Sequence, residues 1–239
     1  MDGIDSYPME LTPISESELG QRTAEFRELS DGQICTGLNR YGYTADQGEC
    51  HRAEGADSSI TLDEAIAILR SELPKYHEFT NLQSEGDIHI RDYSGRADVP
   101  DSEWKFQLGR QIVNGIPIRF TRIDIWLSAE GIYRIDGHWY PNVVVPDRFA
   151  VNRSQARNSV VGHTFKYRDW TGGAAFNIGP DDLPPPDSLE TVVFPHRVGD
   201  TIQLRLTWRI PFGEEFTWLN LYVDTMDGQI LDENMLVNF

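Results

Sequence analysis

The sequence predicts an α+β protein in which a helix followed by an antiparallel meander occurs twice. Three observations carry this. Two segments open with the same helix-start pattern, Ile60-Thr61 with Glu64-Ala65 and Val151-Asn152 with Gln155-Ala156. Each leads into runs that alternate apolar and polar residues, such as "RFTRIDIWLS" and "TIQLRLTWRI". Each run closes on a glycine turn, at Gly131 and at Gly228, with a short further strand behind it.

In chain order, residues 1–59 read as an acidic N-terminal segment. Ser15 and Glu18 suit a capping box, Leu19, Thr23, Phe26 and Leu29 share a face, and Asp31-Gly32 stops the helix. The two cysteines follow in "ICTGLNRYGYTADQGEC", at Cys35 and Cys50. His51 has no second histidine at ligand spacing, so a four-ligand zinc site is not expected. The Gly, Asn, Asp and Tyr content suits a loop stapled by a Cys35–Cys50 disulfide, which would contribute roughly 3 kcal/mol on the chain-entropy model. Two unrelated buried thiols are the alternative. A disulfide implies an oxidising compartment.

Residues 60–146 should form the first helix-and-meander unit. Thr61 caps "ITLDEAIAILRSELP", Glu64 returns the bond, and Ile60 staples onto Ala65. Leu62, Ala65, Ile66, Leu69 and Leu73 line one face, and Pro74 cannot sit in a continuing helix interior. The runs "DIHIRDY", "EWKFQLGRQIVNG", "IPIRFTRIDIWLS" and "GIYRIDG" follow with period two, Phe120, Ile123, Ile125 and Leu127 standing among polar residues. In "NGIPI", Gly115 permits a turn, Pro117 removes a donor at a strand start or edge, and Ile116 with Ile118 commits the next strand's face. The stretch is expected to set register within this first unit.

Residues 147–239 should repeat the plan. Asn152 caps, Gln155 reciprocates, and Val151 lies opposite Ala156. A Pro-rich connection, "NIGPDDLPPPDSLE", precedes "TIQLRLTWRIPF" and "FTWLNLYVD", and Asp227-Gly228 turns the chain into "QILDENMLVN". Thr61 and Gly131 lie 70 positions apart, Asn152 and Gly228 76, close enough for a divergent internal repeat.

With 239 residues at 39% hydrophobic and 25% charged, the chain has material for such cores, and no apolar run approaches the roughly 20 residues that span a bilayer. The formal charge is −17, and residues 1–64 carry 14 Asp and Glu against 4 Lys and Arg. Phosphate backbones and anionic membrane surfaces are bound by basic residues, so neither nucleic acid nor membrane insertion is expected.

No segment carries a metal, nucleophile-elbow or phosphate-loop motif, and the six histidines, at 51, 77, 89, 138, 163 and 196, are scattered. Asp224, Asp227, Asp232 and Glu233 lack the spacing of a calcium loop. No catalytic residue, cofactor site or metal site is expected. Most of the six tryptophans fall at alternating strand positions and read as packing. Trp139 and Tyr140, near a strand end in "DGHWYPN", are the candidate exposed interface.

"EWKFQLGRQIVNGIPIRFTRIDIWLSAEGIYRIDG" resembles the FTP-type propeptide domain of thermolysin-like and fungalysin-like metallopeptidases, through Gln111, Asn114-Gly115-Ile116-Pro117-Ile118, Gly131 and Gly137. "LTWRIPFGEEFTWLNLYVDTMDGQIL" is similar to the end of a PepSY domain, through Trp208, Trp218, Val223-Asp224, Asp227-Gly228 and Ile230. The resemblance covers about residues 60–237, departing at the Pro-rich insert, at Asp227 where threonine is usual, and in the Cys-containing front.

It implies a cystatin-like arrangement, an FTP-like unit at 60–146 and a PepSY-like unit at 147–239, with no catalytic residues to transfer. It also implies a non-enzymatic protein that binds and restrains a peptidase by surface complementarity. Only a short tail from Asp232 follows the last expected strands, so an excised prodomain and a stand-alone relative both remain open. The alternative is an extracellular binding or assembly module of the same fold without an inhibitory role. "MDGIDSYPMELTP" lacks a signal-peptide pattern. A trimmed, extracytoplasmic chain with an added Met1 is favoured over a cytosolic one with reduced thiols.

Overall fold

The computed structural model describes residues 7–45, 59–82, 85–97, 103–169, 172–212 and 220–232. Strand β1 (Met9–Leu11) comes first, then helix α1 (Glu16–Leu29), capped by the Ser15 hydroxyl accepting from the Glu18 amide. Asp31 and Gly32 end it at positive φ, 49° and 71°. Of the face expected on α1, Phe26 is buried while Leu29 stays exposed. Short strands β2 (Gly37–Leu38) and β3 (Thr44–Ala45) pair with each other.

Helix α2 (Leu62–Glu72) carries the expected capping box, Thr61 and Glu64 bonding reciprocally. Pro74 closes α2 without ending the helical path: it starts a tighter turn over Leu73–Tyr76, where its missing amide costs nothing, and helix α3 (His77–Thr80) follows. Strands β4 (Ile90–Gly95), β5 (Trp104–Leu108), β6 (Ile112–Val113), β7 (Ile116–Pro117), β8 (Asp124–Ser128) and β9 (Gly131–Asp136) come next. Helix α4 (Arg153–Ser159) has its Asn152–Gln155 capping box. The hairpin β10 (Thr164–Asp169) and β11 (Gly172–Asn177) precedes β12 (Glu190–Val198), β13 (Thr201–Pro211), β14 (Asn220–Asp224) and β15 (Ile230–Asp232).

These elements form two compact units that do not follow the contiguous segments expected. The first holds Thr12–Gln111 and Phe120–Asn142; the second holds Met1–Leu11, Ile112–Arg119 and Val143–Phe239. The acidic front does not stand apart as 1–59: Phe26, Ile34 and Leu38 enter one core with Leu69, Phe106 and Ile125. The outer edge of β9 is what draws it in, because unpaired strand groups need partners. The Cys35 amide donates to the Tyr133 carbonyl (2.9 Å), and the Ile135 amide to the Thr36 hydroxyl (2.7 Å).

"NGIPI" also acts elsewhere than expected. Asn114 and Gly115 sit at φ 51° and 79°, the positive pair a two-residue hairpin requires, and join β6 to β7. Beyond them Ile118 bridges Val193 in parallel and the Arg119 amide donates to the Val193 carbonyl (2.9 Å). The stretch therefore lines β12 in the second unit and does not set register in the first. Phe120, at φ 60° and exposed, breaks the expected long strand, and β8 starts only at Asp124.

In the first unit the sheet order is β4-β5-β8-β9, all antiparallel, with α2 packed on β8 and β9. In the second it is β12-β13-β14-β15, with α4 on β13. Strand β1 pairs with residues 202–204 of β13, on the edge that β14 uses at 207–211. The two meanders match position for position. Trp104, Lys105, Phe106 and Gln107 face Leu127, Trp126, Ile125 and Asp124; Trp208, Arg209, Ile210 and Pro211 face Val223, Tyr222, Leu221 and Asn220. Both tryptophan indoles donate to the residue just before the helix cap, Trp104 to the Ile60 carbonyl (3.1 Å) and Trp208 to that of Val151 (2.9 Å).

Candidate interaction surface

Strand alternation gives each sheet two sides. In the first unit Trp104, Phe106, Ile125 and Leu127 fill the core side. The other side carries Lys105, Gln107, Asp124, Trp126, Arg134 and Asp136, brought together by the register of β5, β8 and β9. Asp124 is buried to 1% exposure and fully partnered, by Gln107 Nε2 (3.1 Å), Arg122 Nε (3.2 Å) and Lys105 Nζ (3.4 Å). Arg134 grips Asp136 with Nη2 (2.6 Å) and Nε (2.8 Å). Half-buried Trp126 has Lys105 4.7 Å and the Arg134 guanidinium 4.4 Å from its ring centre. Aromatic surface, cations and acids are thus held in place before any partner arrives.

The corresponding side of the second sheet is built around Asp224. Its carboxylate, wholly buried, accepts from the Tyr7 hydroxyl (2.9 Å), Arg205 Nη1 (3.0 Å) and the Met226 amide (2.7 Å). Arg205 also reaches Asp227 (3.0 Å). Burial and the neighbouring Asp224 charge push the Tyr7 phenol well above its ordinary range, so it stays a donor. Arg209 bonds Asn220 Oδ1 and the Glu190 carboxylate, each at 2.8 Å. Tyr222 stacks on Phe194 with centroids 4.0 Å apart and accepts from Arg119 Nε (3.0 Å).

Trp139 and Tyr140, expected to be exposed, are both buried. The chain leaving β9 is trapped by main-chain bonding: the Trp139 amide donates to the Thr80 carbonyl (2.8 Å) and Asn81 Nδ2 to the Trp139 carbonyl (2.7 Å). Gln111 holds Tyr140 in both directions, at 2.7 and 2.8 Å, and its own amide donates to the Thr121 hydroxyl (3.0 Å). Beside them His138 stacks on Tyr43, centroids 5.0 Å apart, and burial lowers its pKa to about 4 despite a contact with the Thr44 carbonyl.

The other motif residues are architectural too. At Gly137, φ 92°, an added Cβ would lie 2.0 Å from the Arg122 carbonyl, so only glycine fits. Gly131, φ 120°, lies against the Glu72 carboxylate, which accepts from the Ile132 amide (3.0 Å). Asp227 and Gly228 make the expected turn, with Gly228 at φ 74° and the Gln229 amide on Asp227 Oδ1 (2.8 Å). Cys35 is disulfide-bonded; Cys50 and Trp218 lie outside the described residues.

Among the described residues no group of three His, Cys, Asp or Glu side chains could hold a metal ion, and no helix is long and apolar enough to cross a membrane. Trp126, which reads from sequence as packing, and Asp124, which carries no motif, meet on this side of the sheet; the aromatic in the polar phase of "IDIWLS" is the signal for it.

The fold and these surfaces define a class, a mixed α+β protein with several antiparallel sheets. In the first unit the sheet side away from the core carries Trp126 among paired charges, whereas in the second unit that side buries Val192, Phe194, Tyr222 and Leu231 together. No protein-family model matches the chain, and neither does any curated protein or solved structure.

Proposed function

We propose that the chain is a non-enzymatic, extracytoplasmic protein of two cystatin-like units that binds a peptidase and restrains it by surface complementarity. The observation that carries this reading is the face around Trp126. A tryptophan flanked by two cations, on a sheet whose acids are already paired, is the kind of rigid anchor that dominates protein–protein interfaces. The resemblance of Gln111, Asn114-Gly115, Pro117 and Gly137 to FTP-type propeptides supports a thermolysin-type zinc peptidase as the partner. The disulfide at Cys35 supports an oxidising compartment.

The test is peptide hydrolysis by a purified thermolysin-type peptidase with increasing amounts of the chain. Hydrolysis should slow as the chain approaches stoichiometry, and Trp126→Ala should raise the half-inhibiting concentration roughly tenfold with the urea midpoint little changed. Full hydrolysis at excess chain overturns restraint. Capture of the peptidase without loss of its activity would instead support a binding or assembly module.

A further inference from the structure

The two sheets treat their first strands differently. In the second unit the outer edge of β12 is occupied by Ile118, fully buried, and by Arg119, whose amide bonds Val193 and whose guanidinium reaches the Tyr222 hydroxyl. Strand β4 holds the corresponding first place in the first sheet. Among the described residues β5 is its sole strand partner, and none of them pairs with its outer edge.

That edge is guarded. A register shift between Ile90 and Asp92 leaves a bulge at Arg91, and the Asp92 carboxylate accepts from the Tyr93 amide at 2.9 Å. Bulges and charges on an edge discourage indiscriminate pairing. From Asp92 to Gly95, however, β4 stays regular against Gln107 to Trp104. Tyr93, 52% exposed, lies on the core side with its ring 6.2 Å from that of Trp104 and 6.4 Å from that of Phe106.

A strand laid beyond β4 would set one of its two alternating rows of side chains against the exposed Tyr93 ring and the other beside Asp92 and Ser94. It would also compete with Asp92 for the Tyr93 amide. The displaced carboxylate then needs a cation, and the chain's net charge of −17 attracts positively charged partners.

We propose that β4 is a docking edge for an extended segment of a partner protein in which aliphatic residues alternate with arginine or lysine, added as a fifth strand. Ile118 and Arg119 display the same chemistry on β12. The proposal does not depend on the partner being a peptidase, nor on the Trp126 face.

The probe is a short acetylated peptide alternating isoleucine with arginine, titrated calorimetrically into the full chain, with amide hydrogen exchange over residues 90–95 followed in parallel. Binding should slow exchange there roughly tenfold, and a version with glutamate for arginine should bind roughly tenfold more weakly. Asp92→Asn should weaken the arginine peptide about threefold. A peptide N-methylated at alternate amides, unable to complete the ladder, should not bind. Equal binding by the N-methylated peptide, or no protection at millimolar arginine peptide, overturns the proposal. So does protection that grows with protein concentration alone, which would make a second copy the occupant.

Discussion

The two sheets share a frame and differ in where they bury an acid. In the first unit Asp124 opens β8 and draws Lys105, Gln107 and Arg122 onto it. The matching position in the second unit is Asn220, which keeps the bond to Arg209, the counterpart of Lys105. There the buried acid stands at the far end of the strand, as Asp224. The matching residue in the first unit, Ser128, does only the turn-capping part of that work, accepting from the Glu130 amide (3.3 Å) as Asp224 accepts from Met226 (2.7 Å). The backbone register and the tryptophan-to-helix bond are thus the common framework. The buried acid stands at opposite ends of the two strands, and its place sets which neighbours gather on it in each sheet.

The sharpest way to break this comparison is Asp224→Ala. It removes the acceptor of the Tyr7 hydroxyl and the Met226 amide, leaves half-buried Arg205 with Asp227 and Gln203, and should cost about 3 kcal/mol in urea unfolding, whereas Asn220→Ala should cost about 1 kcal/mol. Equal losses would mean that the acid's position is incidental.

Next in size is a pH effect confined to the first unit's aromatic pocket. Burial lowers His138 to about 4 from an ordinary 6.5, so between those values the unfolded chain binds the extra proton. Its contribution is complete above pH 6.5 and is lost as pH falls towards 4, by about 2 kcal/mol after allowing for the surface the ring retains. His138→Gln should flatten that limb of the stability profile.

The smallest effect tests the shared frame: Trp104→Phe and Trp208→Phe, each removing one indole donor, should cost about 1–2 kcal/mol apiece. A large inequality in denaturation midpoints would show that the two helices are not seated alike.

What the sequence revealed was what is encoded locally. Both capping boxes need only residues three apart, and both were legible. The strands around Trp104 and Trp208 were legible because core and solvent residues alternate there. The destination of Ile118 was not, since it depends on β12, whose Pro195 masks a strand pattern and whose residues lie far along the chain. Nor was the burial of Trp139 and Tyr140, which are held by Thr80, Asn81 and Gln111, while Tyr43 of the Cys-containing front stacks on the adjacent His138. On the candidate surface, Trp126 could be placed on the polar side of its strand. Its two flanking cations come from neighbouring strands and needed the register.

The pairing of Met9 with Leu204 sets an order of events during synthesis. Tyr7 must wait for both Leu206, 199 positions further along, and Asp224. Such a contact closes a loop of 199 positions, a slow kind to form. The first unit has all its parts by Asn142 and can assemble on the emerging chain, whereas the second completes its sheet only once β14 and β15 have been made.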